Sequence, residues 1–190
     1  MQTITDETVA SFRPYVDDLT ADARHAFRHI RQADTATRNG ILIKLAELLE
    51  TDERQKDILT ANALDLEAAV SSGMSSAMKD RLRLDVPRIV AMAKAVREIA
   101  AFTDPVGEVI RGQTLVSGVQ MVQKRVPLGV VFTVYESRPN VTVDVGALCI
   151  KSGNAAILRG GKEAFHSNVA LYRIFVEAIE ICGLPSGVLQ

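Results

Sequence analysis

The chain has 190 residues, of which 47% are apolar and 24% charged, the balance of an ordinary globular protein, and its length supports one substantial core or a core with an appendage. A formal charge of −1 without any basic tract argues against nucleic acid or an anionic membrane as the main partner and leaves small metabolites open. No apolar run reaches spanning length, and residues 1–14 lack the basic start and apolar middle of a secretory signal, so the cytoplasm is the expected compartment.

Residues 18–69 read as helical, with Ile41, Leu45, Leu48 and Leu49 recurring at three- and four-residue steps among Lys44, Glu47 and Glu50. Ser71-Ser72-Gly73 breaks that pattern. Asp85 and Pro87 open a further helix whose apolar face is Ile89, Met92, Val96 and Ile99. Asp104-Pro105 ends the helical region, and over residues 107–126 the period changes. Val109, Val116, Val119 and Met121 around a Ser117-Gly118 turn predict a hairpin. Pro127-Leu128-Gly129 then introduces an uninterrupted apolar run to Val134, the pattern of a parallel strand covered on both faces. A polar turn (residues 135–140), a helix (142–151), a second strand (155–158) and a helix (165–181) follow. Gly183 and Pro185 stop the last helix. Residues 188–190 begin one more strand.

This order predicts an α/β fold: a helical amino-terminal region (1–104), a hairpin arm (105–126) and the first βαβα part of a doubly wound sheet (127–190). A βα unit without its next strand exposes apolar surface, so the expectation is the amino-terminal part of a longer protein. In such sheets ligands sit beyond the carboxyl ends of the strands. Chemistry is therefore expected at Tyr135-Glu136-Ser137-Arg138-Pro139-Asn140 and at Arg159-Gly160-Gly161.

Those segments, YESRPNVT (135–142), ALCIKSGN (147–154) and ILRGGKEA (157–164), resemble the γ-glutamyl phosphate reductases of the aldehyde dehydrogenase superfamily. Weaker similarity runs back through residues 58–69 and 104–110. The resemblance implies an aldehyde-dehydrogenase-like fold with a Rossmann-type sheet. It implies NADPH-dependent reduction of L-glutamyl 5-phosphate to L-glutamate 5-semialdehyde with release of phosphate, a step of proline biosynthesis. In that chemistry a cysteine thiolate displaces phosphate to give a thioester, which hydride then reduces. Members of the family continue far beyond residue 190 and carry that cysteine in a later domain, so the resemblance implies that the chain alone is inactive. It also implies a homo-oligomer in which the hairpin packs on a neighbouring subunit; by sequence alone the same residues read equally as an edge hairpin.

The resemblance places a basic residue reaching the adenosine ribose at Arg159. A guanidinium forks onto phosphate oxygens, Lys162 adds a point charge, and Gly160 and Gly161 permit close approach, so the set favours NADP(H) over NAD. Its alternative is a solvated charge cluster. In aldehyde dehydrogenases an asparagine in the other turn donates to the oxyanion; alignment on Pro139 puts Ser137 there. Two readings stay open: Asn140 caps the helix while Ser137 or a backbone amide donates, or the reverse. Arg138 either holds a substrate carboxylate or phosphate, or pairs with Glu136.

Cys149 lies on an apolar helical face and reads as a structural thiol. Cys182, before a helix-terminal glycine, sits at the negative end of the dipole. Neither has Cys or His at metal-ligand spacing. His25 and His29 are four apart near Asp17, Asp18 and Asp22 but lack a third convincing ligand, so a solvated face is expected and no metal. His166 reads as a local hydrogen-bond partner or as a contact to cofactor phosphate. A non-catalytic nucleotide-binding module and an assembly fragment built on the helices and hairpin remain as alternative functions.

Overall fold

The computed structural model describes residues 6–190, so the first five residues of the opening segment lie outside it. The stretch read as one helical pattern is three helices: α1 (Asp6–Ile30), α2 (Thr35–Leu49) and α3 (Asp52–Ser71). Helix α1 starts well before residue 18 and carries Pro14 within it. Local caps explain the divisions. Asp34 accepts the Thr37 amide at 2.7 Å ahead of α2, and Thr51 accepts the Arg54 amide at 3.4 Å ahead of α3. Gly73, at φ 71°, turns the chain after α3. A short helix, α4 (Ser76–Leu82), follows that the sequence pattern did not reveal. Helix α5 (Val86–Ala101) begins where Asp85 and Pro87 place it, with the Asp85 carboxylate accepting the Arg88 amide at 2.9 Å.

The hairpin is present as β1 (Val109–Thr114) and β2 (Gln120–Lys124), antiparallel, with Thr114 opposite Gln120 and Gly118 at φ 83° in the turn. Nearly all of it is exposed. Strands β3 (Val130–Val134) and β4 (Ala155–Arg159) pair in parallel from Val130 opposite Ala155 to Val134 opposite Arg159. Between them runs α6 (Asn140–Lys151), and after β4 comes α7 (Phe165–Ile181). The expectation that β3 is covered on both faces is corrected, since Phe132 and Val134 are 63% and 64% exposed. Strand β4 is the covered one: it packs against α1 and α6 and also has chain paired on both edges. Leu189 bridges Ala156 in parallel, and the Gln190 amide donates to the Ala156 carbonyl at 2.9 Å.

The core is where α2 meets α5, α6 and α7: Ile41, Leu42, Leu45 and Leu49 pack in one cluster with Ile89, Val96, Ile150 and Phe175. Gly146 lets α6 and α7 close, because a Cβ there would lie 2.5 Å from the Phe175 ring. Among the described residues no helix is long and apolar enough to cross a membrane.

Helix α7 has no capping side chain of its own; the cap comes from α3. The buried Asp65 carboxylate accepts the His166 amide at 3.1 Å, the Ser167 amide at 2.7 Å and the Ser167 hydroxyl at 2.6 Å. Asn62, one turn earlier, donates to the Leu82 carbonyl and the Ser167 hydroxyl, both at 2.9 Å, and accepts the Leu84 amide at 2.8 Å. Asp65→Ala strands buried donors at the start of α7 and should destabilise the fold by about 1–3 kcal/mol. The check is a lower denaturant midpoint at unchanged slope.

Candidate functional site

The parallel register sets the carboxyl ends of β3 and β4 level, and the Tyr135 amide extends the ladder by donating to the Arg159 carbonyl at 3.1 Å. Beyond them opens a cleft of about 500 Å³ lined by Tyr135, Thr142, Arg159, Gly160, Gly161, Lys162 and Asn168, with Tyr15, Tyr172 and Gln190 on its margins. Its floor is hydrogen-bonded. The Tyr135 and Thr142 hydroxyls are 2.7 Å apart, and Thr142 donates to Asn168 Oδ1 at 3.1 Å, which leaves the phenol as donor to Thr142. Burial pushes the Tyr135 phenol up despite that bond, so it is a neutral donor.

The two glycines are needed for a reason beyond close ligand approach. A Cβ on Gly160 would overlap Asn168 Nδ2, and one on Gly161 would lie 2.6 Å from Ser137 Oγ. Protein groups from α7 and from the turn after β3 already occupy those spaces. Arg159 is exposed and folds back so that Nη1 donates to the Gly160 carbonyl at 2.6 Å. Glu163 accepts the Ser137 hydroxyl at 2.7 Å. That bond, more than the neighbouring Lys162 and Arg159 charges, holds its carboxyl below the usual range. The residues fit the phosphate-bearing end of a dinucleotide: two cations, Arg159 and Lys162, without an ion pair among the described residues, stand at the end of β4 on the rim of this cleft.

The turn after β3 divides its side chains. Tyr135 faces the glycine cleft, and Ser137 is taken up by Glu163. Arg138 and Asn140 face a second cleft of about 460 Å³ with Arg81, Arg83, Arg88 and Asp144. The capping role for Asn140 is corrected: Pro139 holds the cap position without a side-chain bond, and Asn140 is the first residue of α6, donating to Asp144 Oδ2 at 2.9 Å. Glu136 lies 3.9 Å from Arg81 and does not pair with Arg138, whose guanidinium is free of hydrogen bonds and ion pairs among the described residues. Asp144 and the arginines on α4 and α5 were missed because they belong to no motif. Three arginines within residues 81–88 were the only available signal.

The family model for the aldehyde dehydrogenase family matches residues 2–190. The chain belongs to the aldehyde dehydrogenase family. Over 165 residues it is 54% identical to a protein of Leptospira interrogans named gamma-glutamyl phosphate reductase, covering 87% of this chain and 39% of that one. The crystal structure of gamma-glutamyl phosphate reductase from Thermotoga maritima superposes with a TM-score of 0.86 at 39% identity, covering 91% of this chain and 41% of that chain. The corresponding structure from Saccharomyces cerevisiae gives 0.82 at 32% identity over 91% of this chain and 45% of the other. The chain therefore spans about two-fifths of the length of these relatives.

In an aldehyde dehydrogenase any cysteine invites a reading as nucleophile, and both present here fail it. Cys149 is 7% exposed in α6, and burial pushes its thiol up to about 11. Cys182, half-buried after α7, is also raised by burial, with Lys44 only partly opposing. His25 and His29 lie against each other, ring centres 5.0 Å apart, and among the described residues no group of three His, Cys, Asp or Glu is placed to hold a metal. His166 lines an adjoining groove, with Arg54 and Arg173, that shares Phe165 and Val169 with the glycine cleft, and it does not line the glycine cleft itself. A thiol with a pKa of about 11 is only about one part in a thousand thiolate at pH 8. Alkylation of the folded protein at that pH should therefore run through Cys182. Cys182→Ser should remove the fast labelling, and mass spectrometry showing Cys149 modified first would contradict the assignment.

Proposed function

We propose that the whole protein to which this chain belongs is an NADPH-dependent γ-glutamyl phosphate reductase. It reduces L-glutamyl 5-phosphate to L-glutamate 5-semialdehyde, releases phosphate, and serves proline biosynthesis in the cytoplasm. Residues 127–190 supply the adenosine side of the cofactor site and part of the substrate turn, as the opening of a Rossmann-type sheet. The helical region (1–104) is the remainder of the cofactor domain, and the exposed hairpin (105–126) is the arm by which subunits associate into a homo-oligomer.

The observation that carries this reading is the pair of cations, Arg159 and Lys162, at the end of β4 over a cleft whose opposite wall is the turn of the same sheet. Arg159 grips the adenosine 2′-phosphate with its fork, Lys162 neutralises it as a point charge, and Gly160 and Gly161 keep the backbone within reach. When bound, the dinucleotide supplies the hydride that the acyl carbon needs. The Tyr135–Thr142–Asn168 chain keeps that wall rigid and neutral. One amide proton of Asn140 is spent on Asp144, and the second remains for an oxyanion developing beside the turn. The attacking thiol is neither Cys149 nor Cys182, so the 190-residue chain by itself turns over no substrate.

In the whole enzyme Arg159→Ala should weaken NADPH binding by about 1.5–3 kcal/mol, the range for hydrogen bonds to a charged group, while NADH loses far less. Lys162→Ala should act in the same direction but more weakly. The readout is the NADPH to NADH ratio of kcat/KM at one ionic strength. A ratio unmoved by Arg159→Ala removes this residue from the cofactor site. Cys149→Ser should leave turnover largely intact; loss of activity in a well-folded variant would return that thiol to the mechanism.

A further inference from the structure

The second cleft is charged in a pattern that a dinucleotide does not require. Its cations are not equivalent. Arg88 is committed, donating to the Asp80 and Arg83 carbonyls at 2.5 and 2.8 Å and pairing with the Asp80 carboxylate at 2.8 Å. Arg83 leans on the same carboxylate at 3.5 Å. Arg81 has only the exposed Glu136, 3.9 Å away, and Arg138 has no partner for its guanidinium among the described residues. On the α6 wall of this cleft Asp144 is half-buried, and among the described residues its one side-chain hydrogen bond comes from a neutral group, the Asn140 amide at 2.9 Å. Burial pushes the Asp144 carboxyl up and that hydrogen bond only partly restores it, as expected of an acid that faces a cavity without a cation. One cleft of about 460 Å³ thus holds an arginine lacking an anion and a carboxylate lacking a cation among the described residues.

We propose that this cleft binds the α-amino acid head of an acidic amino-acid substrate, with the carboxylate on Arg138, supported by Arg81, and the ammonium on Asp144. The substrate class rests on the function proposed above; the recognition itself requires only a zwitterion. Phosphate or a simple dicarboxylate would satisfy the arginines while repelling Asp144, and a bare amine would satisfy Asp144 while leaving Arg138 unmet. A group carrying both charges, as the head of an α-amino acid does, meets both needs. Asp144 is then a specificity-determining residue that selects the amino acid over its deaminated analogue.

The test is a nuclear magnetic resonance titration of the whole enzyme, selectively labelled within residues 138–162, with L-glutamate and with glutarate, the same dicarboxylate without the ammonium, followed by NADPH in the same sample. Wild type should bind L-glutamate about tenfold more tightly than glutarate, with shifts centred on residues 138–144. Asp144→Asn should abolish that preference by weakening L-glutamate alone. Arg138→Gln, a change to an exposed side chain that no fold contact uses, should weaken both ligands. Equal affinity for the two ligands in wild type, a preference that survives Asp144→Asn, or binding indifferent to Arg138→Gln would each overturn the proposal. NADPH shifts around residues 159–162 without glutamate binding would sink this inference and leave the reductase reading standing. Selective glutamate binding without any NADPH response would do the opposite.

Discussion

Because β3 and β4 run parallel with Val134 opposite Arg159, two segments that leave the sheet in different directions leave it from one level. The register decides what can follow. At that level the chain after β4 passes beneath Ser137 on one side and Asn168 on the other, with no room for a Cβ at Gly160 or Gly161. A slip of one residue would turn Arg159 to the other face and bring a side chain into that passage. Strand pairing, glycine pair and cleft are therefore a single constraint: the cleft exists because the strand ends are level, and they can stay level only because those two positions lack side chains.

The helices that flank the cleft are held at their ends by buried polar groups. Asp65 fixes the start of α7 from α3. At the far end of α6 the buried Lys151 ammonium donates to the Ala100 carbonyl at 2.7 Å and to Asn39 Oδ1 at 2.8 Å. Burial draws that ammonium down, and the Asp104 charge opposes the fall. Asp104 itself is pushed up by burial but held lower overall by hydrogen bonds from Thr35 and the Val106 amide and by the Arg38 guanidinium 2.5 Å away. Such groups add little net stability when complete and cost several kcal/mol when one partner is lost. Their value here is positional, since each ties an element that carries a site residue to the helical layer behind it.

What the sequence disclosed and what it hid divide along this line. Signals carried by neighbours in the chain were legible: Asp85 with Pro87 opening α5, Ser117-Gly118 turning the hairpin, Gly183 and Pro185 closing α7. The βαβ order and the basic strand end at Arg159 were legible too, because periodicity and a short motif suffice. Contacts distant in sequence were not. Nothing local announces that Asp65 caps a helix 101 residues further on, or that Ser137 spends its hydroxyl on Glu163. Asn140 looked like a cap because its type and position suit one. Pro139 took the cap position, since its φ of −57° already fits the first turn, and this freed the amide to reach Asp144.

That displacement by one residue is what gives α6 two working faces. Asn140 and Asp144 are four apart and therefore share a side, toward the arginines, whereas Thr142, two residues from each, points the other way, to Tyr135 and Asn168. Were Asn140 the cap, its side chain would turn inward to the free amides of the first turn, and Asp144 would lose its only donor. A single helix start thus serves as the partition between two clefts of opposite need: one neutral and hydrogen-bonded beneath a pair of cations, the other holding an unmatched arginine and an unmatched carboxylate. A ligand in either cleft bears on the same first turn of α6. The turn is braced from behind by Thr142 and from the side by the Ser137–Glu163 bond, so the wall between the clefts is set by the fold before any ligand arrives.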